Sequence, residues 1–155
     1  MHLRLLQIED IPQVVVLGKQ LLDDHCRFDK DYYHLEDQFA VDFYAWVYEH
    51  LNSMYKFIYV ADTDNKIVGF IAGYIKYLFP WFKIKSVGHI AYLVVNNDFQ
   101  HKGIGKLLEM EAVNWFKAKN LPYVELYVDE LNAKGITAWS SYQYQPFKKF
   151  LRKTI

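Results

Sequence analysis

The sequence predicts a mixed α/β domain of α+β character, with its elements in the order βααβββαβαβ. Three observations carry that expectation. Residues 57–61 and 67–77 are dense in β-branched and aromatic side chains and flank the turn-forming run Asp62-Thr63-Asp64-Asn65-Lys66, which describes a β-hairpin. Residues 11–22 and 103–119 repeat apolar side chains at helical spacing. An apolar strand over 87–95 runs through a polar turn bearing two glycines straight into the second of those helices.

The elements follow in order. Leu3, Leu5 and Gln7 alternate with Arg4 and Leu6 as a strand, and Glu9-Asp10-Ile11-Pro12 then places acids and a proline where helices begin. Ile11, Val14, Val15, Gly18, Leu21 and Leu22 share one helical face. Leu35, Phe39, Phe43, Trp46, Val47 and His50 predict a second amphipathic helix over 31–51. After the hairpin, the aromatic loop Phe79-Pro80-Trp81-Phe82 is of the kind that either packs over a core or covers a ligand. Strand 87–95, helix 103–119, strand 123–128, helix 132–142 and a final strand 147–152 complete the order, with no repeat or linker between them.

A chain of 155 residues has the length of a single domain, here expected to span 1–155. Its apolar fraction of 52% supplies a core well beyond what disordered chains carry. Lys plus Arg equals Asp plus Glu at 18 each, so no overall field draws in nucleic acid or an anionic membrane, and neither is expected as a partner. The chain is expected to fold alone or as a compact oligomer such as a homodimer, between which the sequence does not choose. Cys26 stands alone, and Arg4, Glu9, Asp10 and Lys19 interrupt any signal-peptide run, so a cytoplasmic protein is expected. His25, Cys26 and His34 match no zinc spacing, and no metal is expected. The acids Asp23, Asp24, Asp29, Asp31, Glu36 and Asp37 read as a solvated face or as an attraction for an amine.

The chemistry concentrates in residues 94–106. An apolar strand ends there in a polar turn, and Gly103 and Gly105 lead into a helix. A helix start exposes unpaired N–H groups and a partial positive charge that suit phosphate oxygens, and glycine lets an anion approach them. The glycine spacing is not that of a dinucleotide-binding fingerprint, and Gly105-Lys106-Leu107 lacks the hydroxyl of a P-loop.

Val95 followed by Gln100-x-x-Gly103-x-Gly105 resembles the Gln/Arg-x-x-Gly-x-Gly/Ala motif of the GNAT family of N-acetyltransferases, and the element order is similar over essentially the whole chain. The resemblance implies a central, mostly antiparallel sheet, splayed between strands 87–95 and 123–128. It implies acetyl-CoA as co-substrate, with Leu93, Val94 and Val95 along the pantetheine arm. The amides of the Gln100, His101, Lys102, Gly103, Ile104, Gly105 and Lys106 segment would lie on the pyrophosphate. Asn132, and Trp139 on the helix it opens, would lie near the pantetheine and the sulfur. The implied reaction is direct attack of an amine, carried by a small molecule or a peptide or protein, on the thioester.

Two family side chains differ here. Trp139 stands seven residues after Asn132, where the family carries a tyrosine acid, which leaves Tyr142, one helical turn on, as the candidate donor. Strand 87–95 has no carboxylate, which leaves His89 as the candidate base or water relay, with alternation placing His89, Ala91, Leu93 and Val95 on one face. These departures also admit an alternative, an acyl-CoA-binding sensor with little catalysis.

Overall fold

The computed structural model describes all 155 residues. Strand β1 (His2–Leu5) is followed by a 3-10 turn over Ile8–Asp10 that feeds α1 (Ile11–His25), with Pro12 in the first turn where its missing N–H costs nothing. Then come α2 (Phe39–Tyr48), β2 (Lys56–Thr63), β3 (Lys66–Tyr77), β4 (Ser86–Val95), α3 (Ile104–Ala118), β5 (Val124–Leu126) and α4 (Ala133–Ser141). The five strands form one sheet in the order β1-β2-β3-β4-β5, antiparallel except for the parallel pair β4 and β5.

Each face of the sheet has its own core. On one side Ile11, Val14 and Leu17 of α1 and Phe43 and Val47 of α2 pack on Ile58, Val60, Phe70, Ala72 and Val94. On the other, Ile104, Leu108, Ala112 and Phe116 of α3 cover Phe57, Val68, Ile71 and Ile90. Strands buried on both faces lose the simple in–out alternation, which is why β3 reads as a nearly continuous apolar run. Helix α4 is tied to α3 by Tyr144, whose hydroxyl donates to buried Glu109 at 3.0 Å. Burial pushes the Glu109 carboxyl up, and burial beside Glu109 pushes the Tyr144 phenol up.

Two sequence expectations change, and a third, left open between two readings, narrows. Helix α2 begins at Phe39 rather than near residue 31. Asp29 takes the chain out of helical geometry by accepting the N–H groups of Asp31 and Tyr32 through its own Oδ1, an Asx turn that competes with a helix. The expected strand over 147–152 does not form, and no residue beyond Tyr144 makes a backbone–backbone hydrogen bond. Pro146 lacks a donor and the adjacent charges of Lys148 and Lys149 break the apolar alternation, so side chains alone hold this segment. The aromatic loop after β3 does not pack over the core: Phe79 and Trp81 stack on each other at 4.7 Å and stay 61% and 73% exposed.

The edge of the sheet is clamped by charge. Arg4 of β1 reaches both Asp10 oxygens, at 2.6 and 2.9 Å, and Asp62 of β2 at 2.8 Å, while the Gln7 N–H also donates to Asp10. Burial would raise the Asp10 carboxyl, but the Arg4 fork and the Gln7 amide hold it below the usual range. A depressed folded-state pKa contributes stability above the unfolded pKa near 4 that is lost as pH falls through the folded value. Asp10→Asn should therefore cost about 2 kcal/mol at pH 7. Urea midpoints between pH 5 and pH 3 should fall less for this variant than for the wild type.

Candidate active site

Strand β4 pairs with β3 over its length but with β5 only at Gly88–Val124, His89–Glu125 and Ile90–Leu126. The divergence begins at a bulge: Gly73 of β3 faces Ile90 while Ala72 faces Tyr92, leaving Ala91 without a partner. The Asn96 N–H reaches back toward β3, onto the Val68 carbonyl at 2.9 Å. By alternation the main-chain groups of Leu93 and Val95 face the gap that β5 has left.

The loop beyond β4 is braced by its own polar residues. Gln100 Nε2 donates to the Val95 carbonyl at 3.2 Å and to Asn97 Oδ1 at 2.9 Å, and Asn96 Oδ1 accepts the Asp98 N–H. Lys102 Nζ bonds the Asp98 carbonyl and lies over the Phe99 ring. His101 and Gly103 take positive φ values of 61° and 78°, which turn the chain into α3. The outcome is a run of amides, His101 to Lys106, with no hydrogen-bond acceptor elsewhere in the chain. A Cβ on Gly103 would touch nothing within 4 Å, so no other part of the chain covers the turn at that point. A Cβ on Gly105 would stand 3.0 Å from the Tyr142 hydroxyl, 3.8 Å from Leu93 and 3.9 Å from Val95, so those side chains converge on the first turn of α3.

Asn132 caps α4 by accepting the Gly135 N–H on Oδ1 at 2.9 Å, which leaves its amide NH2 unused by the cap. Asn132 and Lys134 share a cleft of about 380 Å³ with Asn97 and Gln100 of the loop and with Leu21 and His25 of α1. Trp139 packs edge-on against Tyr142 and Tyr144 at the α3-side core.

His89 lies elsewhere than alternation predicts. Gly88 backs onto Phe116 and Ile90 joins the α3-side core, so His89 projects from the opposite face, and the bulge at Ala91 separates it from the face of Leu93 and Val95. It is 4% exposed between Tyr74 at 5.0 Å and Tyr127 at 5.1 Å, and its Nδ1 has no hydrogen-bond partner. Burial, with Lys76 close by, pushes its pKa below the ordinary histidine value. Glu125, its partner in register on β5, accepts from Lys76 Nζ at 3.2 Å. The sequence reading missed Tyr74, Lys76, Glu125 and Tyr127. Their two-residue spacing within each segment was legible, but nothing in the residues said that those segments flank β4.

The connection between α1 and α2 closes this side. Tyr33 donates to Asp129 at 2.9 Å, and burial together with that carboxylate pushes its phenol up to about 12. His25 packs edge-on against Phe28 and Tyr33. No group of three His, Cys, Asp or Glu side chains stands where it would hold a metal ion. No helix is long and apolar enough to cross a membrane.

A model of the acetyltransferase (GNAT) family matches residues 19–140. The chain belongs to that family. This acetyltransferase is 28% identical over 112 residues to an uncharacterized N-acetyltransferase of Archaeoglobus fulgidus, covering 72% of this chain and 74% of the relative. It is 26% identical over 86 residues to the mycothiol acetyltransferase of Thermomonospora curvata, covering 54% of this chain but only 26% of that relative. Among solved structures, a mutant of the BH1408 protein of Bacillus halodurans superposes with a TM-score of 0.87 at 19% identity, over 100% of this chain and 99% of that one. The aminoglycoside acetyltransferase AAC(6')-Iy, in complex with a CoA-linked bisubstrate analogue, gives 0.76 at 17% identity, over 99% and 98%. The GNAT acetyltransferase is an acetyl-CoA-dependent enzyme, and acetyl-CoA is its co-substrate. The open run of amides fits the pyrophosphate of that molecule.

Gly103→Val separates a coenzyme cradle from a mere turn. Positive φ costs a branched residue about 1–2 kcal/mol, and the added Cβ meets nothing else in the chain. The variant should fold with a modestly lowered Tm and lose the thermal stabilisation that saturating acetyl-CoA gives the wild type.

Proposed function

We propose that this acetyltransferase moves the acetyl group of acetyl-CoA directly to a primary amine on a small molecule or a peptide, without a covalent enzyme intermediate. One observation carries the reading. The β4–β5 gap has unlike surfaces on its two sides, free amides and Tyr142 at the start of α3, and the polar cluster of His89, Lys76 and Glu125 on the face of α1 and α2. Coenzyme bound on the first side presents its thioester through the gap to an amine on the second. Aminoglycoside acetyltransferases among the structural neighbours support a small-molecule acceptor.

In this reading the amides of His101 to Lys106 hold the pyrophosphate. The main chain of Leu93 and Val95 lines the pantetheine arm, and the free amide of Asn132 bonds it. A neutral amine attacks the carbonyl carbon, the C–S bond breaks, and the amine proton has to leave. His89 takes that proton through water, since its ring is buried beside Tyr127. Its lowered pKa keeps the imidazole neutral at pH 7, Nδ1 has no competing partner, and the Glu125 carboxylate beside it stabilises the charge it gains. Tyr142 donates to the departing thiolate, its phenol kept protonated by burial and by the charge of Glu109.

Release of free thiol with a panel of amines tests the proposal. His89→Gln should lower kcat/KM by about 100-fold and Tyr142→Phe by about tenfold, with acetyl-CoA affinity unchanged in the former. The acidic limb of the wild-type pH profile should fall below about pH 6.5 and vanish in His89→Gln. Full acetyl-CoA binding without thiol release for any amine would instead make the chain an acyl-CoA sensor.

A further inference from the structure

Beyond Tyr144 the chain has no backbone hydrogen bonds, and two side chains mark where it lies against the fold. The Phe150 ring lies 6.0 Å from Tyr127, the residue that covers His89. Two residues later, Arg152 Nη2 donates to Asp29 Oδ2 at 2.8 Å, and the guanidinium stands 5.5 Å over the Tyr32 ring. The tail thus spans from β5 to the α1–α2 connection across the His89 side of the sheet. Its apolar residues add little hold, since Phe147, Phe150 and Leu151 are 76%, 87% and 84% exposed.

The place Arg152 occupies is built without it. Asp29 Oδ1 is committed to the N–H groups of Asp31 and Tyr32, which fixes the carboxylate and turns Oδ2 outward. Tyr32 packs edge-on against Tyr33, itself held by Asp129. A carboxylate oxygen beside an aromatic face is a receptor for an ammonium or guanidinium group. An ion pair this exposed, with Arg152 64% accessible, is weak enough to exchange.

We propose that Asp29 and Tyr32 form a cation subsite for the acceptor, that Arg152 fills it in the free enzyme, and that acceptors bearing a second cationic group displace the C-terminal strap. The inference rests on the reading that the His89 side receives the amine. It adds the acceptor class, an amine carrying a second ammonium or guanidinium group.

Calorimetry without acetyl-CoA tests it, using agmatine, which carries a guanidinium and a primary amine, and butylamine, which carries the amine alone. Arg152→Gln should bind agmatine about five-fold more tightly than wild type, because the internal competitor is gone. Asp29→Asn, whose amide oxygen keeps the turn, should lose that binding, and butylamine should respond to neither change. Trypsin should cut at Lys148 and Lys149 faster in Arg152→Gln, and faster in wild type once agmatine is present. Equal agmatine affinity in wild type and Arg152→Gln, no agmatine binding by Arg152→Gln, or binding indifferent to Asp29→Asn overturns the subsite. Thiol release with monoamines reports separately on the broader acceptor reading, which stands if only the subsite fails.

Discussion

Strand β4 keeps β3 along one edge and gives up β5 along the other after Ile90, so one edge of its main chain from Ala91 to Val95 is left uncovered by any strand. An unpaired edge inside a fold has to be satisfied by something, and here a ligand can be that partner. The bulge at Ala91 sets the position of this opening and also which face each β4 side chain takes. The rest of the site follows from that geometry. The turn beyond Val95 delivers its free amides to one mouth of the gap, and His89, the central member of the last paired triplet, stands at the other.

The two sides differ in how they are held. The amide side is made of main chain, braced by Gln100 and Asn96 and backed by α3, so its side chains can vary without loss of its shape. The opposite side is made of side chains drawn from β3, β4 and β5, enclosed by the α1–α2 connection through Tyr33 and Asp129 and crossed by the tail through Arg152. In the proposed reading, substrate choice falls to this side, whose chemistry depends on residue identity. The charged clamp of Arg4, Asp10 and Asp62 lies at the far edge of the sheet and supports the scaffold without entering either mouth.

The coenzyme half was legible in the sequence because it rests on local rules. Residues 94–106 carry their own turn chemistry, the stripe Ile104, Leu108, Ala112 and Phe116 fixes which side of α3 faces the sheet, and the hairpin of β2 and β3 announces itself at Asp64-Asn65. The acceptor half was not, since it depends on pairings between distant segments. One unpaired residue at Ala91 reversed the face expected for His89, because side chains alternate with a period of two. That Glu125 of β5 stands in register with His89 is visible only once the strands are side by side. The tail failed as a strand for a local reason, Pro146 and the lysine pair, that the aromatic residues around them obscured.

In the proposed mode of binding, the amides of His101 to Lys106 seat the pyrophosphate while the β4–β5 gap takes the pantetheine. Calorimetric titration of acetyl-CoA against S-acetylpantetheine and S-acetyl-dephospho-CoA separates the parts: the first has the arm and thioester alone, and the second keeps the pyrophosphate and adenosine without the 3'-phosphate. Acetyl-CoA and its dephospho form should both bind at least about 100-fold more tightly than S-acetylpantetheine, since charge-assisted bonds to several amides are lost with the pyrophosphate. Equal affinity of S-acetylpantetheine and the dephospho form would overturn this seat for the pyrophosphate.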